Sequence, residues 1–426
     1  MKVINVGVIG FGTVGAGAVK LLTDNAEDIR RRAGGEIRIK RIADLDTVTD
    51  RGIGLDVSDI LTDDARLLIN DPDIQVIVET IGGIKPAGAF IREALQAKKS
   101  VVTANKMLIA KEGAALSALA REHGADLLYE ASVGGGIPIL DPIKNNLSAN
   151  RINRIIGIVN GTTNYLLTEM KKGKNYLDTL KDAQRLGYAE QDPTSDVEGY
   201  DSMYKLAILS KLCFNTDVRA DDIYREGITS ITDYDIRYAG EMGYQIKLLA
   251  MAEQKDGQIF AGVHPTLVPD DHPIANVNGV MNAIFLSSDG AGDTMYYGAG
   301  AGSLPAGSAI AGDVIEAARN ILSGCQGAAN VAPYNDIPVA PANALVRRNY
   351  IRIIVKDEPG CIAAIAGAFA DNKVSLESVI QKNTHRGLAE VVWLTHEASE
   401  EQMLSALDKI GNIPMVDSIA SRIRVL

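Results

Sequence analysis

Residues able to do proton chemistry concentrate between Ala183 and Lys205, where Glu190, Asp192, Asp196, Glu198 and Asp201 precede one lysine. Lys205 opens the apolar run Leu206-Ala-Ile-Leu209, which places it at the edge of a core. A lysine so placed, facing several carboxylates, is an acid–base candidate, because burial and neighbouring charge both tune its pKa. Gly187 would stop the preceding helix, and Asp192-Pro193 forces a turn. A second helix starting near Gly199 then brings Tyr200, Tyr204 and Ala207 onto helical spacing. On that helix Asp201 and Lys205 are four apart and share a face. The competing reading, a solvated acidic loop with a surface ion pair, is weakened by the apolar run.

Three other stretches could hold ligands. Gly10-Phe11-Gly12-Thr13-Val14-Gly15 follows a buried strand pattern at 3–9, and Val14, Ala18, Val19 and Leu22 continue at helical spacing. Between a strand and a helix this glycine pattern binds a dinucleotide, since Gly12 lets backbone approach a pyrophosphate at the helix N-terminus. The second strand, 37–43, ends in Asp44-Leu45-Asp46, and an acid there accepts ribose hydroxyls, favouring NAD over NADP. Glu130-Ala-Ser-Val133-Gly-Gly135-Gly-Ile137-Pro138 cannot be a regular element. One carboxylate plus inward-turned carbonyls suits a hard cation, and a glycine hinge between domains fits the composition nearly as well. The turn Asn160-Gly-Thr162-Thr-Asn164 could bind an amino-acid carboxylate, or cap a helix over 165–171.

The elements that position these residues divide the chain in three. Strands and helices alternate through Tyr129: a third strand ends at Thr80, a helix follows at 87–97, and Lys106 stands at a strand's carboxyl end. That rhythm predicts an α/β, doubly wound parallel sheet over 1–130, and a further helix is expected at 308–322 after the glycines that end at Gly302. Residues 131–302 read as an α+β catalytic and dimerisation unit, with strand-like pieces at 259–263 and 282–286. A Pro-rich connection (332–348) precedes a β-α-β-β-α-β order over 349–426, which is ferredoxin-like, with a hairpin about 383–387. Over 426 residues the net charge of −11 argues against nucleic-acid or anionic-membrane partners. No apolar run approaches the roughly 20 residues that span a bilayer. The N-terminus enters a strand pattern rather than a signal peptide, and Cys213, Cys325 and Cys361 lie too far apart to suggest a disulfide framework. A cytoplasmic, reduced protein is expected.

The ordered pattern Ala183-x3-Gly187-Tyr188-Ala189-x2-Asp192-Pro193-x2-Asp196-Val-x-Gly199-x-Asp201-x3-Lys205 resembles the signature of homoserine dehydrogenases. That resemblance implies interconversion of homoserine and aspartate semialdehyde with NAD(P), in threonine and methionine biosynthesis. It makes Lys205 the catalytic acid/base with Lys106 assisting, and has Glu190 and Asp201 hold the substrate, with Tyr188, Asp196 and Thr162 beside it. It adds Phe11, Thr13, Val14, Thr80, Lys106, Gly187 and Gly302 to the cofactor site around Gly10, Gly12, Gly15 and Asp44. It also implies sodium at Glu130 and the backbone of Val133, Gly135 and Ile137, and a segment at about 303–325 that returns to the dinucleotide-binding domain. Many such enzymes carry Arg near Leu45; this chain departs from them, although Arg41 and Arg51 remain available. Asp357-Glu-Pro-Gly360 after the first C-terminal strand resembles an ACT domain, which implies an amino-acid effector, threonine, and a homodimer or homotetramer. Two rivals are a dehydrogenase of another small semialdehyde and a non-catalytic dinucleotide and amino-acid sensor. The second would lack Lys205, Asp201 or Lys106, and all three are present.

Overall fold

The computed structural model describes residues 2–426 apart from 328, 329, 331, 332, 342, 343 and 386, and omits the side chains of 383–385. The chain forms two compact units, each drawn from three segments.

The first unit takes residues 1–155, 204–220 and 281–336. Its six strands run parallel in the order Leu61–Thr62, Glu36–Ala43, Val3–Ile9, Val76–Glu79, Ser100–Thr103, Leu127–Leu128. All four residues of Val76–Glu79 and of Ser100–Thr103 are buried, as expected of parallel strands covered on both faces. Helix Thr13–Asp24 shares a core with the strands and with helix Ser303–Ser323, through Ala18, Val19, Leu22, Ile310 and Val314. Those two helices touch at glycines: a Cβ on Gly17 would sit 2.1 Å from the Ser303 carbonyl oxygen, and one on Gly307 would sit 2.6 Å from the Gly17 carbonyl carbon. An antiparallel hairpin, Met281–Ser288 with Gly292–Ala299, leads into the second helix. That helix starts at Ser303, five residues earlier than its periodicity predicts, after Gly302, whose φ of 126° sets the turn.

The second unit takes residues 156–203, 221–280 and 337–426. Strands Tyr244–Lys255 and Gln258–Pro269 pair along their whole length about Asp256-Gly257 (φ 52° and 75°), an Asp-Gly turn whose twist matches the strands. Both extend well beyond the short apolar piece legible at 259–263. The C-terminal residues form strands Val346–Lys356, Leu376–His385, Leu388–Thr395 and Val416–Val425 with helices Cys361–Asp371 and Glu400–Gly411. The last strand lies beside the first, then the third and the second, which is the ferredoxin-like order. Phe369 and Trp393 meet in its core, ring centroids 5.5 Å apart. The expected hairpin is present, with Arg386 outside the described residues.

This module is not set apart from the rest of its unit. The last strand also pairs with Gln258–Pro269 at Thr266–Arg424 and Leu267–Val425, so an edge that would stay open in isolation is covered. Arg352 donates from Nε to Asp235 on helix Asp233–Glu241 at 2.8 Å, and the Tyr350 hydroxyl donates to the same oxygen at 3.2 Å. Of the expected Pro-rich connection, Ala332, Ala342 and Asn343 lie outside the described residues. Within the second unit Ala340 N–H donates to Ile259 O and Ile259 N–H to Pro338 O, so this part is strapped to a strand.

Candidate active site

The Gly-rich turn of the first unit is shaped for close approach. Gly10 has φ of 98°, and a Cβ on Gly15 would lie 2.1 Å from the Gly10 carbonyl oxygen. Gly12 caps helix Thr13–Asp24 with no side-chain bond, and open space lies where its Cβ would be. Free N–H groups at that helix start and room above Gly12 fit a pyrophosphate. Thr80 Oγ1 donates to Gly10 O at 2.7 Å and ties the neighbouring strand end to the turn. Phe11 and Val14 serve packing: the Phe11 ring is 3% exposed and Val14 is half-buried, both against the same core, while Thr13 is exposed. Asp44 is already engaged. It accepts from Phe11 N–H and from Asp46 N–H, with Arg51 Nη2 at 3.7 Å from it and 3.2 Å from Asp46.

Glu79 is a site residue that the sequence reading passed over. It is fully buried; one oxygen accepts from Ile81 N–H (2.8 Å) and Gly82 N–H (2.9 Å), the other from Thr103 Oγ1 (2.6 Å). Thr103 Oγ1 in turn accepts from Asn105 N–H at 3.0 Å. Asn105 caps helix Lys106–Glu122 through Leu108 N–H and donates to Gly83 O at 2.6 Å. Glu79 therefore fixes the turn from which half-buried Lys106 projects. Its signal was a lone acid ending an apolar strand.

Helix Tyr200–Phe214 begins where the spacing predicts, immediately after Gly199 (φ 82°). Asp201 and Lys205 are 3% and 8% exposed, so both are buried groups rather than a surface pair. Within the first unit this helix packs on helix Lys106–Glu122: Lys211 Nζ donates to Ala110 O at 2.7 Å, and Lys111 Nζ lies 5.8 Å from the Tyr204 ring centroid. The two helices that carry Lys106 and Lys205 are thus in contact, in the unit that holds the Gly-rich turn.

In the second unit, of the two readings that the composition of the Asn160 turn left open, the structure shows the helix cap. Helix Gly161–Lys171 starts four residues earlier than expected, and Asn160 Oδ1 caps it by accepting from Thr163 N–H at 2.9 Å. Asn160 Nδ2 donates to Asp196 Oδ1 at 2.7 Å and to Asp201 Oδ2 at 2.9 Å, so the two acids converge on one amide. Thr162 Oγ1 donates to Tyr188 O at 2.6 Å, and the Tyr188 ring meets Tyr165 edge-on at 5.2 Å. Gly187 closes helix Tyr176–Arg185 with φ of 76°. Glu190 is exposed, with Gln184 Nε2 held by the carbonyls of Glu190 and Gln191.

The loop from Glu130 is partly helical, a 3-10 turn over Glu130–Ser132. Glu130 is 8% exposed and accepts from Ile139, Leu140 and Asp141 N–H at 2.6–2.8 Å. Burial pushes its carboxyl up, and those three N–H groups pull it back. Asp313, which accepts from Glu130 N–H, is raised further by burial and by the Glu130 charge. Among the described residues no donor is directed at the carbonyl oxygens of Val133, Gly135 or Ile137. Three carbonyls with no directed donor, in a loop that opens on a buried carboxylate, are oxygen ligands of the kind a hard cation takes. Gly302, at the start of helix Ser303–Ser323, belongs to the same unit, and Gly136 N–H donates to Ala299 O just ahead of it.

A family model for homoserine dehydrogenase matches residues 138–315, and one for the homoserine dehydrogenase NAD-binding domain matches 10–130. A homoserine dehydrogenase of Bacillus subtilis is 40% identical over 428 residues, covering 100% of this chain and 99% of its own. The chain belongs to the homoserine dehydrogenase family. It is therefore an oxidoreductase with an NAD(P)-binding domain, and an ACT-domain model matches residues 349–412. A homoserine dehydrogenase of Neisseria gonorrhoeae is 41% identical over 432 residues, covering 100% of this chain and 99% of its own. The crystal structure of a homoserine dehydrogenase from Thiobacillus denitrificans superposes with a TM-score of 0.94 at 40% identity, covering 100% and 99% of the two chains. A hyperthermophilic archaeal homoserine dehydrogenase solved in complex with NADPH covers 74% of this chain and 98% of its own, at 27% identity and a TM-score of 0.63. The homoserine dehydrogenase model spans the Asn160 turn, the acidic stretch and Lys205. Among the described residues no helix is long and apolar enough to cross a membrane.

Proposed function

We propose that this enzyme interconverts L-homoserine and L-aspartate 4-semialdehyde in a cytoplasmic homodimer or homotetramer, with Lys205 exchanging the proton at the substrate's terminal oxygen. The observation that carries this reading is the contact between the two helices bearing Lys106 and Lys205, in the unit that holds a Gly-rich turn fitted for a dinucleotide. A bound nicotinamide supplies the hydride chemistry. The chain's own part is to bind, orient and move a proton. Lys205, buried and cationic, stabilises the alkoxide-like charge on the substrate oxygen and returns or takes its proton. Lys106, set by Glu79 and Asn105, positions that oxygen. Asp201 and Glu190 hold the substrate, with Asp196, Tyr188 and Thr162 forming the wall of its site. Gly187 and Gly302 border the cofactor. Glu130 and the carbonyls of Val133, Gly135 and Ile137 would hold a sodium ion, which supplies fixed positive charge to a glycine-rich loop.

The ACT module is read as an effector site for threonine. An open concavity of about 450 Å³ is lined by Asp357, Glu358, Gly360, Ile362 and Gln381, with room for a small amino acid. Its donors differ from those expected of the whole Asp357–Gly360 turn. The N–H groups of Asp357, Glu358 and Cys361 are already bonded to backbone carbonyls, which leaves Gly360 and the start of helix Cys361–Asp371 to receive a carboxylate.

Lys205→Ala tests the catalytic reading. The variant should fold and bind cofactor as the wild type does, while kcat falls by about a hundredfold or more, the usual contribution of a general acid–base group. Turnover within tenfold of wild type would remove Lys205 from the mechanism.

A further inference from the structure

Between Asp196 and Asp201, the short stretch Val197–Tyr200 is gripped from one side by residues 225–229. The Arg225 guanidinium lies 3.6 Å from the Tyr200 ring centroid, donates to Glu198 O, and has the Glu198 carboxylate at 3.9 Å. Ile228 N–H donates to Val197 O at 2.8 Å, and Thr229 Oγ1 to Glu198 Oε1 at 3.1 Å. A Cβ on Gly227 would lie 2.3 Å from Val197 O, so the two segments touch backbone to backbone.

The grip is itself anchored. Tyr224–Arg225 pairs with Gln258–Pro269 at Gly262–Tyr224 and Val263–Arg225, and Glu226 N–H donates to Val263 O at 2.8 Å. The Glu226 carboxylate accepts from Arg424 Nη1 at 2.8 Å and from the Tyr224 hydroxyl at 3.0 Å. Arg424 is 5% exposed, lies over the Tyr224 ring at 4.6 Å, and reaches Glu400 at 3.3 Å. Glu400 opens helix Glu400–Gly411 of the C-terminal module and takes Arg422 through both oxygens at 2.8 Å. A guanidinium stacked on an aromatic ring with one N–H on a carbonyl holds orientation as well as position, which a lysine would not reproduce.

We propose that Arg225 is a positioning residue for the carboxylate pair Asp196 and Asp201, held in register from the C-terminal module through Glu226, Arg424 and Glu400. The proposal rests on the substrate reading of that pair. Arg225 acts by fixing Glu198 and Tyr200, the residues that set where Asp201 enters its helix.

The test uses the full chain and initial rates followed by nicotinamide absorbance, with Arg225→Ala, Arg225→Lys, Glu226→Gln and Asp201→Asn. Arg225→Ala should raise the KM for homoserine about tenfold, leave the cofactor KM unchanged and lower kcat less than about threefold. A brace important only for folding would instead lower the active fraction, and with it apparent kcat, at unchanged KM. Arg225→Lys should recover part of the loss. Glu226→Gln, which keeps shape and removes charge, should raise the same KM about threefold, and the double variant should be no worse than Arg225→Ala. A homoserine KM within twofold of wild type in Arg225→Ala, with the Asp201→Asn value raised, overturns the positioning role. Should Arg225→Ala fail to fold, an unchanged KM in Glu226→Gln overturns it. Effects that multiply in the double variant overturn the link through Arg424. An Asp201→Asn variant with unchanged homoserine KM overturns the substrate reading underneath.

Discussion

Lys247 is the buried charge whose consequence can be worked most directly. It lies on strand Tyr244–Lys255, 2% exposed, and its ammonium donates to Val277 O at 2.6 Å, Asn278 Oδ1 at 3.1 Å and Asn164 Oδ1 at 3.2 Å. All three acceptors are neutral, so burial pushes its pKa from 10.5 down to about 8, helped by repulsion from Lys171. In the unfolded chain the lysine stays charged until about 10.5, so folding below pH 8 carries a charged group into a site that prefers it neutral. The penalty is full below the folded pKa, is relieved as pH rises from about 8, and is gone above about 10.5. At about 1.4 kcal/mol per tenfold change in proton affinity, the full penalty is about 3 kcal/mol, of which about 2 kcal/mol is relieved between about pH 7 and pH 9.5. Lys247→Met removes the titration while roughly keeping volume. Its three former acceptors lose a donor at every pH, so the informative quantity is the pH dependence of the difference between the two proteins. By calorimetry the wild type should gain about 2 °C on the variant between those pH values, using the entropy of unfolding for a chain of this size. A difference that stays flat, or moves the other way, would refute the argument from burial.

Two further outcomes follow from the cofactor and effector sites. With Asp44 facing the Gly-rich turn and Arg51 occupied by Asp44 and Asp46, NAD(H) should be at least as good as NADP(H). Comparing the two specificity constants checks this; a large NADP(H) advantage would mean that Arg51 turns from its acids to a 2′-phosphate. Threonine at millimolar levels should change the homoserine rate, with a coupling of about 1–3 kcal/mol, and Gly360→Val, which burdens a position at φ 93°, should weaken the response. Rates indifferent to threonine and every other proteinogenic amino acid would leave the module without an effector role.

What could be read from the sequence was local. Gly10, Gly12 and Gly15 declare a strand-to-helix turn because the positive φ of Gly10 and the missing Cβ atoms of all three are properties of adjacent residues. Gly199 and the spacing of Tyr200, Tyr204 and Ala207 located the helix of Lys205 for the same reason. The tertiary structure decided which side chains meet. Asn160 finds Asp196 and Asp201 at 36 and 41 residues' separation, and nothing in a one-dimensional pattern names an amide's partners at that range. Glu79 reads as an acid closing a strand, and becomes the support of Lys106 only when Thr103 arrives from the neighbouring strand. Glu130 and Asp44, proposed from sequence as ligand groups, each acquired backbone donors that only folding could bring. The C-terminal module was legible as an order of elements, since strand and helix periods are local. That its last strand would pair with Gln258–Pro269, and that Arg424 would reach Glu226, depends on an edge whose hydrogen-bonding groups must be satisfied by whatever the fold places there.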